Sequence, residues 1–381
     1  MNKENSMDSL SISEGSNTED FDCGQCGAHL TFEPGTTSLK CQYCDHENKI
    51  DGSEKPAFVE EKDLNAYLNS MTDNATKQTV EVVSCPACNA GTTLPPNITS
   101  ASCGFCGTPL VLSDAKSQSN RIAPQYLLPF KVNKKEAAVH FRDWIKSLWF
   151  APNALKRSAN SLKKITGMYL PFWTYDASTT TNYTGQRGDY YYTTESYTDN
   201  EGNRKTRRVQ HTRWSYASGT VFHLFDDVLV AGTQSVSTEK LDELEPWDLH
   251  ELKHYDEAYL SGFVTEQYSL DVKYGLRQAK LKMQPMIREL VERDIGGDTQ
   301  RIGSSNTRYS NLTFKHILLP TWISSYRFKD KVYQFLVNAR TGEVQGERPW
   351  SVYKIAAATL FGLSVAGGLT YAYMVHNGYV V

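Results

Sequence analysis

Cysteine is missing from most of this 381-residue chain: all 8 cysteines lie between positions 23 and 106, and none occurs in the 275 residues that follow. The first 20 residues are polar and acidic and hold no apolar run, so they do not resemble a secretory signal peptide. Disulfide frameworks belong mainly to secreted proteins. We therefore expect a reducing, cytosolic setting in which the thiols bind metal.

Nucleotide-binding signatures are also missing. The chain has no G-x-x-x-x-G-K-[ST] sequence, and neither Gly185–Gly188 nor Gly296-Gly297 is followed by Lys and then Ser or Thr. We therefore predict that the chain has no ATPase activity. With 40% hydrophobic and 22% charged residues, the composition also excludes a multi-span membrane protein, although it allows a single span.

Positive charge is scarce in the N-terminal part. Residues 1–115 hold 6 Lys and Arg against 17 Asp and Glu, a net charge of −11, whereas residues 116–381 carry +8. The whole-chain value of −3 therefore describes neither part. The acidic part is predicted to face a protein partner, and the basic part to lie near anionic lipid headgroups.

The cysteines form two modules with the same spacing, C-x2-C-x14-C-x2-C, offset by 62 residues. Two C-x2-C turns can close a tetrahedral site of four thiolates around zinc, which leaves no position open for substrate. We therefore predict two structural zinc ions and no catalysis at either metal. The predicted ligands are Cys23, Cys26, Cys41 and Cys44 in the first module and Cys85, Cys88, Cys103 and Cys106 in the second.

Nucleic-acid binding by these modules is disfavoured on charge. Residues 20–115 contain five Lys, no Arg and 13 Asp and Glu. Phosphate contacts need Lys or Arg, and four thiolates on one zinc ion add a further double negative charge. Protein docking is the preferred interpretation.

The C-terminal end carries an apolar run, Ile355–Val375, of 21 residues without a charged side chain. At 1.5 Å per residue this run is long enough to cross a bilayer core of about 30 Å. Arg348 and Lys354 precede it and no Lys or Arg follows it, so the positive-inside rule predicts a cytoplasmic N-terminus and an external C-terminus.

Between the cysteines and this run, the sequence predicts a strand-rich α+β domain. Apolar periodicity predicts helices over 134–149 and 271–294, and the residues from Met168 to Thr220 favour strands. A turn at 200–203 predicts a long hairpin with a basic return strand. The shared L-P-x-W sequences at Leu170–Trp173 and Leu319–Trp322 leave an internal duplication open, against the alternative of two unrelated strands with buried Trp.

The predicted fold class is thus α+β, with two small zinc ribbons, a strand-rich α+β domain and one C-terminal transmembrane helix. The predicted segments are a disordered tail (1–21), ribbon 1 (22–50), a connector (51–84), ribbon 2 (85–112), a linker (113–124), the α+β domain (125–350), the transmembrane helix (355–375) and an external tail (376–381).

One short sequence argues for an enzyme. His250-Glu251-Leu252-Lys253-His254 matches H-E-x-x-H, in which two His one helical turn apart bind zinc and the Glu activates water. Lys253 would place a positive charge beside that metal, so an exposed charged turn is the preferred interpretation.

With these residues in view, the chain resembles a bacterial family labelled primosomal protein N′ (replication factor Y)-like or transcription-factor-IIB-type zinc ribbon protein. The resemblance covers most of the chain after residue 20. It rests on the two cysteine modules and on the segments Leu170–Trp173, Gly185–Tyr191, Phe225–Val230, Leu244–Leu249, Asp294–Asp298, Thr313–Pro320 and Asn338–Val344. It implies a scaffold in envelope-stress response that works with a phage-shock-protein-A-type membrane complex.

We therefore predict a tail-anchored, cytoplasmic-membrane protein that docks other proteins and is not an enzyme. Two alternatives stay open: a DNA-associated replication or helicase-accessory factor, and a membrane zinc metalloprotease that uses His250, Glu251 and His254.

Overall fold

The structure is a computed structural model of the chain. It describes residues 21–50, 56, 59–70, 78–85, 90–93, 100–103, 105, 108–111, 115–153, 165–198, 202–328 and 331–376. Within these residues the fold is mixed helix and strand, as predicted. The predicted tails lie outside them, apart from Phe21 and His376.

The first cysteine module, residues 22–50, forms a small antiparallel sheet. Its strands are β1 (Leu30–Phe32), β2 (Ser38–Cys41) and β3 (Glu47–Lys49), in the order β1-β2-β3. Leu30, Phe32 and Leu39 are buried. They belong to the core that also holds Phe130 and Phe141 of the α+β domain, so this module packs directly on that domain.

The connector and the second cysteine module, residues 85–112, add short strands. These elements are β4 (Lys62–Asp63), α1 (Leu64–Ser70), β5 (Gln78–Ser84), β6 (Gly91–Thr93), β7 (Ser100–Ser102), β8 (Pro109–Val111) and β9 (Ala115–Arg121). Strand β9 lies where a linker is predicted. Its polar sequence gives no strand signal, but its backbone pairs antiparallel with β5 and is held by that pairing.

The α+β domain contains the remaining elements. In chain order they are β10 (Tyr126–Leu127), α2 (Lys134–Ser147), β11 (Thr166–Thr198), β12 (Arg204–Ala231), α3 (Thr238–Asp242), β13 (Lys253–His254), β14 (Val264–Glu266), α4 (Val272–Ile295), β15 (Thr299–Phe328), β16 (Lys331–Asn338), β17 (Val344–Gly346) and α5 (Val352–His376). Two 3-10 turns, Leu249–Glu251 and Glu257–Leu260, flank β13.

Three of these strands are very long and lie side by side in the order β12-β11-β15, all antiparallel to their neighbours. They contain 28, 33 and 30 residues. Helix α4 packs across all three through Ala279, Met283, Ile287 and other residues on one helical face. Thr and Tyr side chains are the commonest in β11, in agreement with their β propensity.

The predicted basic hairpin is the free end of this sheet. Strand β15 begins opposite Gly188, and beyond that point β11 and β12 continue alone. We call this two-stranded extension the arm: residues 189–198 of β11 paired with residues 204–213 of β12. The return strand runs on beyond the arm to Ala231, because the residues after the arm keep pairing with β11.

Short strands pair reciprocally between the two halves of the α+β domain. Strand β10, which precedes helix α2, pairs parallel with β15, and strand β14, which precedes helix α4, pairs parallel with β11. The Trp173 indole donates to the carbonyl of Leu270 at 2.9 Å, and the Trp322 indole donates to that of Val132 at 2.8 Å. The same contacts thus occur twice, and the two L-P-x-W sequences lie side by side.

Helices α2 and α4 begin at side-chain caps. The Asn133 side chain accepts from the amides of Lys135 and Glu136, and the Asn133 amide donates to the Glu136 carboxylate, which completes a capping box. Asp271 accepts from the Tyr274 amide at the start of α4. Both caps satisfy amides that the first helical turn leaves without partners.

Candidate metal centre and neighbouring clusters

Four cysteines of the first module meet in one cluster. The Sγ atoms of Cys23, Cys26, Cys41 and Cys44 all lie within 4.8 Å of one another, and Cys23 Sγ and Cys44 Sγ are 3.5 Å apart. That separation is far longer than an S–S bond of about 2.05 Å, so the four sulphurs are thiols. Two are buried and two exposed. The cluster can hold a metal ion, and four thiolates form a ligand set that zinc accepts.

The two turns that carry these cysteines share one geometry. The Cys23 amide donates to the carbonyl of Ala28 at 2.8 Å, and the Cys41 amide donates to that of His46 at 2.9 Å. Each turn passes through a left-handed residue directly after its second cysteine, Gly27 with φ +70° and Asp45 with φ +56°. Glycine and aspartate are among the residues that adopt this conformation at least cost.

The pKa values of the clustered cysteine thiols also fit a site that binds a cation. Amide donors from Cys44 and Tyr43 lower the pKa of the Cys41 thiol to about 7. The His46 amide lowers the pKa of Cys44, but burial and the three neighbouring sulphurs together raise it to about 12. Four thiolates this close cannot all ionise without a compensating positive charge, which a divalent metal supplies.

In the second module the structure describes Cys85 and Cys103, both buried, whereas Cys88 and Cys106 lie outside the described residues. The Cys85 amide donates to Ala90 O at 2.9 Å and the Cys103 amide to Thr108 O at 2.8 Å. Each bond spans five residues, as in the first module. The same backbone bond, from a cysteine amide to the carbonyl five residues later, is therefore present in both modules.

The two modules contact the α+β domain through different surfaces. In the first, Phe32 packs edge-on against Tyr259 at 5.2 Å, and its amide donates to Ser261 O. In the second, Phe105 is fully buried, and its carbonyl accepts from Nε2 of Gln334 at 3.1 Å. The second module thus contacts the α+β domain through Phe105, in its second cysteine pair, whereas the first module contacts the domain through its β-sheet.

The H-E-x-x-H residues do not form a helical pair. His250 and Glu251 lie on a 3-10 turn, and His254 lies on β13, where its ring packs 5.2 Å from that of Tyr126. The two His therefore lack the one-turn helical spacing that a zinc protease needs. Among the described residues, neither cluster able to hold a metal includes them.

A cluster that the sequence does not predict surrounds Lys315, whose side chain is 4% exposed. Its Nζ lies 2.8 Å from Glu61 Oε1 and 2.6 Å from Asp227 Oδ1. Asp176, at a bulge in β11, accepts from the Asp227 amide at 2.7 Å. Glu61, Asp176 and Asp226 bring carboxylates close enough to hold a cation. The Lys315 ammonium already neutralises part of this charge.

The carboxyls in this cluster have opposite pKa shifts. Burial raises the pKa of Asp176 to about 7, assisted by the nearby Glu61 carboxylate. Burial would also raise the pKa of Glu61, but hydrogen bonds with Asp176, Lys315 and Thr313 lower it to about 2. Glu61 therefore stays ionised and shares the proton that Asp176 retains.

Segments that carry the family resemblance lie against one another. Arg340 Nε donates to Asp248 Oδ1 at 2.9 Å, while its Nη1 donates to the carbonyl of Pro129. At the base of the arm, the Asp298 amide donates to Gly188 O, and the Asp298 carboxylate accepts from the Tyr190 amide. The contact between Arg340 and Asp248 joins Leu244–Leu249 to Asn338–Val344. The two contacts of Asp298 join Gly185–Tyr191 to Asp294–Asp298.

One described helix is long and apolar enough to cross a membrane. This is α5, in which Val352–Met374 holds no buried residue and its apolar side chains are exposed. Its first turn is held to the domain: the Ser351 amide donates to Phe150 O at 2.8 Å, and Lys354 Nζ donates to Ala151 O at 2.9 Å. The helix includes the whole predicted span, Ile355–Val375.

Comparison with known proteins finds a relative of nearly equal extent. The chain is 27% identical over 356 residues to a Bacillus subtilis (strain 168) protein described as "uncharacterized protein YdjG", and the match covers 91% of this chain and 94% of the relative. No family model matches the chain.

Proposed function

We propose that this chain is a membrane-anchored scaffold, in which two zinc ribbons and the α+β domain dock proteins at the cytoplasmic face of the membrane. The observation that carries the proposal is the exposed apolar helix α5, joined directly to a domain on which a four-thiolate cluster is mounted. A closed thiolate site stabilises a small fold and leaves no position for substrate, so it suits binding better than catalysis.

The proposed topology places residues 1–354 in the cytoplasm and the C-terminus outside. Lys354 and Arg348 before the helix support it, as does the reducing environment that thiolate sites require. The resemblance to the primosomal-protein-N′-like zinc-ribbon family supports a phage-shock-protein-A-type complex as the partner and envelope stress as the setting.

The test is purification of the full chain from detergent-solubilised membranes, with the partners identified by mass spectrometry. A variant that ends at Ser351 is the matched control, because it keeps the domain and lacks α5. We expect a stoichiometric partner with the full chain, and a shift of the shortened chain to the soluble fraction. The scaffold proposal would be contradicted if the full chain were recovered in the soluble fraction, or if it were purified from membranes without a stoichiometric partner.

A DNA-associated role is the second candidate, because the arm is a basic two-stranded ribbon, of a type that fits the major groove. Arg204, Lys205, Arg207 and Arg208 are exposed on it. A salt-dependent mobility shift of duplex DNA, lost when these four residues are changed to Ala, would favour that role over the scaffold.

A further inference from the structure

One equivalent aromatic residue differs in exposure between the two cysteine modules. At the 62-residue offset, Tyr43 in Cys41-Gln42-Tyr43-Cys44 corresponds to Phe105 in the second module. Phe105 is fully buried in the α+β domain, whereas Tyr43 is 84% exposed. An aromatic ring at the tip of this turn thus serves as an internal docking element in one module and points to solvent in the other.

The exposed tip, Gln42–Asp45, has a defined chemistry. It presents one large aromatic ring beside the exposed thiol of Cys44 and the Asp45 carboxylate, whose side chain is 84% exposed. Glu47 is exposed close by. With a divalent metal bound, the four thiolates add a net charge of −2. Lys40, whose ammonium lies 3.5 Å from the Asp45 carboxylate, offsets one of these charges. The metal site, Asp45 and Glu47 together still leave the surface aromatic and anionic, and it fits a cationic surface rich in aromatic side chains.

The same chain carries such a surface on its arm. On one face of the arm, Tyr190 and Tyr192 lie with Arg204 and Arg208, and the paired residues 190–198 and 204–212 of that face include no carboxylate. The Arg208 guanidinium lies 3.9 Å from the centre of the Tyr192 ring. Both tyrosines are more than 40% exposed.

Within one copy of the chain, the arm lies too far from the exposed tip Gln42–Asp45 for the two to make contact. The first module is tied to the domain where the Gly35 amide donates to Phe130 O, and Phe130 packs on Tyr169 of β11. Tyr190 lies 21 residues further along the same strand, a path of at most about 70 Å at 3.3 Å per residue. A 30-residue module has a radius of gyration of only about 8 Å. It cannot span that distance.

We infer that the Tyr43 tip of one copy docks on the Tyr and Arg face of the arm of a second copy of this chain. Anchoring in one membrane would hold the copies at high local concentration. The inference builds on the proposed docking role of the ribbons, and names one of the partners as the chain itself.

Site-specific photocrosslinking of the full-length, membrane-inserted chain tests it. With p-benzoylphenylalanine in place of Tyr43, we expect a light-dependent dimer whose crosslinked peptides come from residues 189–213. The control carries the same group in place of Phe222, which is 71% exposed and lies outside both surfaces. A dimer at position 222 alone, or crosslinks to peptides outside the arm, would overturn the inference.

Charge exchange makes the test specific. Arg204→Glu with Arg208→Glu should lower the crosslink yield about tenfold, and adding Asp45→Lys should restore most of it. A folding defect cannot produce that recovery. Three outcomes would each overturn self-docking. They are an unchanged crosslink yield in the Arg variants, crosslinks formed only with another protein, and loss of the crosslink when the sample is treated with nuclease before illumination. Metal content and membrane association are measured on the same samples, so a failure of the scaffold proposal is recognised separately.

Discussion

Lys315 Nζ lies 2.8 Å from Oε1 of Glu61, a residue 254 positions earlier in the chain. The contact ties the connector between the two cysteine modules to the centre of the large sheet, where the Lys315 side chain is almost fully buried. A buried ammonium needs compensating carboxylates, and Glu61 shares that role with Asp227.

Removing the Glu61 carboxylate should destabilise the fold. For Glu61→Gln we expect a loss of about 1–3 kcal/mol in the free energy of unfolding, less than for a lone buried pair because Asp227 still faces Lys315. Urea unfolding measures it. Asp45→Asn, which breaks the exposed pair of Lys40 and Asp45, is the control and should cost less than about 1 kcal/mol. Equal losses in the two variants would contradict the buried role of Lys315.

Asp176 should make stability fall as pH rises. Its folded pKa of about 7 exceeds the ordinary aspartate value of 3.8, so between these limits the folded state binds more protons than the unfolded state. Glu61, whose folded pKa of about 2 lies below its ordinary value of 4.5, has the opposite effect up to about pH 5. Unfolding free energy is then expected to decrease from about pH 5 to about pH 7 and to level off above. Asp176→Asn should flatten this slope, leaving the part due to Glu266, whose burial raises its pKa to about 7 as well. An unchanged melting-temperature profile from pH 4 to 8 would exclude Asp176 as a source.

Metal analysis should find about two zinc ions per full chain. Cys26→Ser removes one ligand of the described cluster and should reduce the content to about one, whereas Ser38→Ala, which changes no ligand, should leave two. Mass spectrometry of the native protein counts the ions directly. A full chain that holds one zinc would restrict the metal to a single module.

Arg340 should not be replaceable by Lys. Its guanidinium binds both oxygens of Asp248 and also the carbonyl of Pro129, a planar arrangement that a lysine ammonium cannot match. We expect Arg340→Lys to lower the unfolding free energy by about 1–3 kcal/mol. Arg142→Lys, on the exposed face of α2, is the matched control and should unfold like the parent protein.

The periodic elements could be predicted from sequence because their signals are local. Apolar periodicity predicts a helix over 134–149, and α2 occupies Lys134–Ser147. It also predicts a helix over 271–294, and α4 occupies Val272–Ile295. The L-P-x-W sequence at Leu319–Trp322 favours a proline at the edge of a strand, because proline rarely lies within a sheet. The structure instead continues β15 through Pro320, where neighbours on both sides supply the remaining backbone bonds.

Long-range pairings could not be predicted in the same way. Lys315 was visible as a charged residue in the apolar segment Thr313–Pro320, but its partners Glu61 and Asp227 meet it only through strand register. The cysteine cluster was predictable because spacing alone brings two C-x2-C turns together. The cluster around Lys315 has no comparable spacing rule.

The reciprocal pairing of β10 with β15 and of β14 with β11 has a kinetic consequence. Tyr126 finds its strand partner Ile317 only after 191 further residues have been made. The domain therefore has a high contact order, and its first half emerges from the ribosome before its complementary strand exists. We expect neither half to fold when expressed alone, and a need for chaperone protection during synthesis until β15 has been translated.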